Sequence, residues 1–237
     1  MLRRILTCIL AAVFVGGASL AAVQLATAQS NNEVLTISQG ADTDTMDPLT
    51  TAVTPSNNVF FQIYDGLLAH DANGKLVPSL ATSWKQIAPT KWQFNLRHGV
   101  KFSNGDPFTS ADVKFTIDKV NDPALKSQKV NRVKTIAQVL TPDPYTVIYV
   151  TKSPSALMPG RPYDLRMVDG KYWQAHGDAY MADHPMGTGP YMLKEWKKDD
   201  HVTEVANPLY WGGKVAIQTV VWKPIPEAAS RVAALQT

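Results

Sequence analysis

Four side chains of the types that hold a divalent metal, His176, Asp178, Asp183 and His184, fall within one short stretch of this chain. Nitrogen and carboxylate ligands of this kind could activate a water for hydrolysis. Zinc enzymes commonly place two histidines at i and i+4 on one helical face. These two are not so spaced, and the stretch reads instead as surface histidines near helix ends. The glycine-framed hydroxyl of Gly187-Thr188-Gly189-Pro190 is the nearest approach to a nucleophile elbow. That chemistry needs a sharp strand-to-helix turn, usually Gly-x-Ser-x-Gly, and no serine has this setting. Pro190 restricts the residue before it, so a stiff turn is expected. Tyr191-Met192-Leu193 reads as a strand, so these glycines do not open a helix as a phosphate loop would. His70, His98 and His201 lie in loop or turn contexts. The residues therefore predict no catalytic set, no metal centre and no cofactor.

Arg3 and Arg4 precede an apolar run from Ile5 to Val15, and small residues follow to Ala26-Thr27-Ala28. This is the order of a secretory signal peptide, with cleavage expected after Ala28 and delivery to the periplasm. Ile5 to Leu25 is uncharged and about long enough to cross a bilayer as an anchor, but Gly16-Gly17 and the Ala-x-Ala site favour cleavage. Cys8, the single cysteine, lies inside the segment to be removed. The mature chain is thus expected to have no disulfide, no thiolate nucleophile and no cysteine metal ligand, and to rest on a hydrophobic core. Without Arg3 and Arg4, 23 − 2 = 21 basic residues face 20 acidic ones. They are scattered rather than gathered in a basic stripe, which argues against nucleic acid as a partner. Lys197-Lys198 is answered by Asp199-Asp200, a solvated turn.

The elements that must position any site follow from periodicity. Val34 to Ile37 reads as a buried strand and Gly40 to Pro48 as a loop. Thr54-Pro55 offers a helix N-cap with proline at the first helical position, and Val59, Phe60, Ile63, Tyr64 and Leu67 repeat at helical spacing, with Gly66 the weak point. Asp71-Ala72-Asn73-Gly74 turns a small hairpin between Leu68 and Leu76-Val77. Trp92, Phe94 and Leu96 alternate with polar residues, and His98-Gly99 is expected to close a tight hairpin onto Val100-Lys101-Phe102. Thr109-x-x-Asp112 is a near capping box ahead of Val113, Ile117 and Val120. Tyr145 to Val150 alternates as a strand, and Ser153 to Gly170 is an aperiodic loop. Ile217 to Trp222 reads as a strand, and Pro226-Glu227 begins a helix with Val232 and Leu235 on its apolar face. Trp92 and Trp222 are expected in the core, with Trp173 and Trp211 packing loops. Mixed strands and helices predict an α/β class, or mixed α+β.

Three stretches together carry a resemblance. The first runs Trp92-Gln93-Phe94-Asn95-Leu96-Arg97-His98-Gly99-Val100-Lys101-Phe102-Ser103-Asn104-Gly105-Asp106-Pro107-Phe108-Thr109-Ser110-Ala111-Asp112-Val113. The second is Gly187-Thr188-Gly189-Pro190-Tyr191 with Asn207-Pro208-Leu209-Tyr210-Trp211-Gly212, and the third runs from Ile225-Pro226-Glu227 to Gln236. With Asp47-Pro48 and Tyr64-Asp65-Gly66-Leu67, they resemble the family 5 extracellular solute-binding proteins from about Val34 to Thr237.

The resemblance implies a periplasmic-binding-protein type II-like lobe with an inserted subdomain. It divides the chain into a signal peptide (1–28), a first-lobe segment (29–75), the inserted subdomain (76–150) and the first lobe continued (151–237), with the second lobe missing. It implies the substrate-binding component of an ABC importer, capturing a peptide or similar small polar solute, monomeric when full length and partnered by permease subunits in the inner membrane. In the family the ligand lies between two lobes, and the strand-to-helix loop near the N-terminus lines one wall; here that loop brings Thr51, Thr54 and Asn57. The Ser153 to Gly170 loop matches a segment that approaches the cleft, where Arg161 or Arg166 would meet a carboxylate. Two alternatives stand beside this reading. One is a receptor for a nickel complex, haem or opine on the same scaffold. The other is a periplasmic metal-dependent hydrolase using His176, Asp178, Asp183 and His184.

Overall fold

A computed structural model describes residues 33–160 and 164–236; the expected signal peptide with its cleavage site at Ala28, and Arg161, lie outside the described residues. Along the chain run β1 (Val34–Gln39), α1 (Thr54–Ile63), β2 (Leu68–His70), β3 (Leu76–Pro78), β4 (Ala81–Ala88) and β5 (Lys91–Leu96). There follow α2 (Ser110–Asn121), α3 (Val130–Val133), β6 (Ile136–Asp143), β7 (Thr146–Thr151), α4 (Gly170–His176) and α5 (Asp178–Met181). The last are β8 (Tyr191–Lys197), β9 (His201–Ala206), β10 (Thr219–Pro224) and α6 (Ala228–Ala234). The class is mixed α/β, as the sequence predicts.

Among the described residues three sheets form: β1-β10-β9-β8, the small hairpin β2-β3, and β4-β5-β7-β6. β1 runs parallel to β10, and the other pairs are antiparallel. The expected hairpin from β5 onto Val100-Lys101-Phe102 does not form. Both edges of β5 are taken by β4 and β7, so Gly99, at φ +74°, turns the chain away, and Lys101 bridges Pro107 instead. β1 is a strand as expected but is not buried at its start. Among the described residues β10 is its one neighbour, and Val34 and Leu35 remain 57% and 41% exposed.

Helix α1 buries Ser56, Val59, Phe60 and Ile63. Val53, not Thr54, holds the cap position, with no side-chain bond, and Pro55 sits in the first turn where its missing N–H costs nothing. The helix stops at Ile63 because Tyr64 is extended, yet Tyr64 and Leu67 stay in the core. The capping box of α2 is complete: Thr109 N donates to Asp112 Oδ2 and the Thr109 hydroxyl accepts from Ala111 N. Trp173 lies in α4, not a loop, and is buried; the carboxylate of Asp169 caps that helix by accepting from Tyr172 N. In α6 no residue is buried, and Val232 and Leu235 are exposed.

The glycine turn of residues 187–189 presses against the end of α1. A Cβ on Gly187 would stand 2.1 Å from Ile63 O, and one on Gly189 would stand 2.4 Å from Gln62 O. Gly189 N donates to Ile63 O at 2.9 Å. The turn is thus a packing device that seats α1 on β8.

Candidate functional site

With one stripe of α1 buried, residues three, four and seven apart must face outward together. Thr54 is exposed there, Asn57 and Asn58 are half-buried, and Phe61 is 43% exposed. The guanidinium of Arg166 lies 4.1 Å from the centroid of the Phe61 ring, a cation–π arrangement. The structure thus brings together Thr54, Asn57 and Arg166 of the residues read from the sequence, and adds Asn58 and Phe61. Phe61 was detectable in principle, since it falls off the Val59, Phe60, Ile63 stripe. Thr51 is not on this face: it is buried, and its hydroxyl donates to Asp44 Oδ2 at 2.9 Å, with Ser56 Oγ donating to Asp44 Oδ1 at 2.5 Å. It shapes the loop ahead of α1.

The face is held from behind by Lys129, which is 1% exposed. Its ammonium donates to Asn57 Oδ1 and to Asp164 O, each at 3.1 Å. Asn57 Nδ2 in turn donates to Ala52 O at 3.0 Å, so both ends of that amide are fixed. Asp164 pairs with Arg132 at 3.0 Å. Burial pushes the Lys129 amine down to about 8, against the opposing pull of Asp164. One buried cation therefore ties α1 to the segment that carries Arg166. The sequence offers no signal for it.

The four metal-type residues do not converge. Asp178 accepts from Trp173 Nε1 at 2.7 Å and pairs with Lys119 at 2.8 Å. His176 Nδ1 meets Tyr172 O, and His184 Nδ1 meets Tyr180 O and Asp183 Oδ1, while the Tyr180 ring stacks between the two imidazoles at 4.6 and 3.8 Å. Among the described residues no three His, Cys, Asp or Glu side chains group as a metal site would need. A concavity of about 490 Å³ lies elsewhere, beside α2, lined by Lys114, Asp118, Lys119 and Asp122. Its charges pair with one another, Lys114 with Asp118 and Lys119 with Asp122, which leaves little to attract a charged solute.

Residues 75–237 match the family profile described as bacterial extracellular solute-binding proteins, family 5, middle. The chain belongs to this family. The glutathione-binding protein GsiB of Escherichia coli O1:K1 / APEC is 32% identical over 205 residues, covering 85% of this chain and 40% of that protein. The chain thus spans about 40% of the length of the curated relatives it matches. Among solved structures, Haemophilus influenzae OppA in complex with RPPGFSPFR superposes with a TM-score of 0.80 at 26% identity, covering 86% of this chain and 44% of the other. The periplasmic binding protein DppA from Helicobacter pylori, in complex with peptide STSA, superposes with a TM-score of 0.77 at 26% identity, covering 86% and 46%. Among the described residues of this family 5 chain, no helix is long and apolar enough to cross a membrane.

Proposed function

We propose that this chain is part of the substrate-binding component of an ABC importer, which captures a peptide or similar small polar solute in the periplasm and delivers it to permease subunits in the inner membrane. The outward face of α1 forms one wall of the ligand site. The observation that carries the reading is a hydroxyl, two amides, an exposed ring and a cation on one surface, anchored by buried Lys129. Amides both donate and accept, as peptide groups require, and a guanidinium suits a carboxylate. The ligands named for the relatives support the class: glutathione for GsiB and peptides for OppA and DppA. On this reading the protein is a receptor and not an enzyme, monomeric at full length and exported by cleavage after Ala28. Residues 29–75 and 151–237 belong to its first lobe, and 76–150 form an inserted subdomain.

Native mass spectrometry of the full-length protein as secreted tests this. The expected result is a mature chain beginning at Gln29 and carrying one peptide-like solute. A bound metal chelate with no peptide would overturn the peptide reading, and stoichiometric metal with hydrolytic activity lost in His184→Ala would overturn the receptor.

A further inference from the structure

Gln39 is the last residue of β1, where the chain leaves the sheet beside its parallel partner β10. The carboxyl ends of parallel strands are where open α/β sheets commonly receive ligands. Its side chain is only 8% exposed, and Oε1 accepts from Asn58 Nδ2 at 3.3 Å. Asn58 belongs to the outward face of α1, so this bond joins the strand end to the candidate site. This bond occupies the Oε1 end of the Gln39 amide. Nε2 is buried and has no hydrogen-bond partner among the described residues. Glu204 Oε1 and Tyr149 Oη are likewise unpartnered, but both stand mid-strand, whereas Gln39 stands at the exit from the sheet. Next to it, Arg231 Nη1 lies 3.8 Å from where a Cβ on Gly40 would be, and caps Ile225 O and Pro226 O at 2.6 and 2.7 Å, placing a positive charge at the same strand ends.

A buried amide donor without an acceptor costs free energy. Its retention beside a binding face is accounted for when a ligand supplies the acceptor. We infer that Gln39 is a specificity-determining residue of the ligand site, its Nε2 donating to a carbonyl or carboxylate oxygen of the bound solute. The inference rests on the receptor reading above and adds a residue to that site. It makes the site selective for solutes with an oxygen acceptor at this point, and Asn58 positions the donor.

The test uses the full-length protein, with glutathione and a pool of tri- to pentapeptides as probes, titrated into wild type, Gln39→Glu and Gln39→Met. Gln39→Glu keeps the shape and replaces the donor by an acceptor, so its affinity should fall at least about tenfold. Gln39→Met removes the donor together with the acceptor that Asn58 uses, so its affinity should fall to a similar extent. Undiminished affinity in Gln39→Glu, with wild type binding a probe, would overturn this inference and leave the receptor reading standing. Wild-type affinity in Gln39→Met would show that no bond from Nε2 reaches the solute and would overturn it too. Failure of wild type to bind any probe would overturn the peptide reading and this inference with it.

Discussion

Trp211 Nε1 donates to Asp65 Oδ2 at 2.8 Å, and Thr188 Oγ1 donates to the same oxygen at 2.9 Å. Arg97 stacks over the Trp211 ring at 4.3 Å, so one carboxylate joins the end of α1, the glycine turn, the turn after β9 and the end of β5. Burial raises the Asp65 pKa against the pull of these two donors. Asp65→Ala would leave two inward-facing donors without an acceptor and is expected to cost about 2–4 kcal/mol. Asp65→Asn, which keeps an acceptor oxygen, should cost less. Urea unfolding midpoints of the two variants check the order.

Gly187→Ala is expected to be far more damaging than Gly213→Ala. The first would drive a methyl to 2.1 Å from backbone Ile63 O, which cannot yield without moving α1. The second faces open space, and only its φ of +90° resists a side chain. The expected costs are more than about 3 kcal/mol against about 1 kcal/mol, read from thermal melts.

Stability should depend on pH through three buried groups, two carboxyls acting one way and an amine the other. Glu204 is fully buried with Trp222 Nε1 as its donor, and burial pushes its carboxyl from 4.5 up to about 8. Its folded form binds the proton more tightly than the unfolded chain does, so stability falls as pH rises from about 4.5 to about 8. Asp47, raised to about 6 by burial, adds to the early part of that fall. Lys129, lowered to about 8, acts the other way: its penalty is complete below about 8 and is relieved toward 10.5. Glu204→Gln should therefore raise the melting temperature at pH 8 and flatten the acid-side slope, and Lys129→Met should abolish the alkaline rise. A lower melting temperature for Glu204→Gln at pH 8 would show that an ionised Glu204 stabilises the fold.

What the sequence made legible was local. The stripe Val59, Phe60, Ile63, the capping box at Thr109 and the turn at Asp71 to Gly74 each depend on residues close together in the chain, and all three form. β4, β6 and β9 were not legible. Register shifts at Ala81/Ser83 and Gln86/Ala88 break the alternation in β4, and one at Ile136/Gln138 does so in β6. In β9 the core-facing position between Val202 and the strand end is taken by Glu204, a residue whose type signals exposure. The pairing of β5 with β7 rather than with residues 100–102 is long-range and leaves no local trace. At the candidate site, Thr54 and Asn57 came only from the family resemblance, which implies that the strand-to-helix loop lines the cleft. Lys129 and Gln39 did not, because their burial and partners come from segments distant in sequence.

Arg166 over Phe61 gives the most direct test that the α1 face is a ligand wall. The measurement is a calorimetric titration of the full-length protein with the solute recovered from it, wild type against Arg166→Ala. Loss of a charge-assisted contact should weaken binding about 10–100-fold. Unchanged affinity in Arg166→Ala would contradict the account and place the ligand on some other surface of the chain.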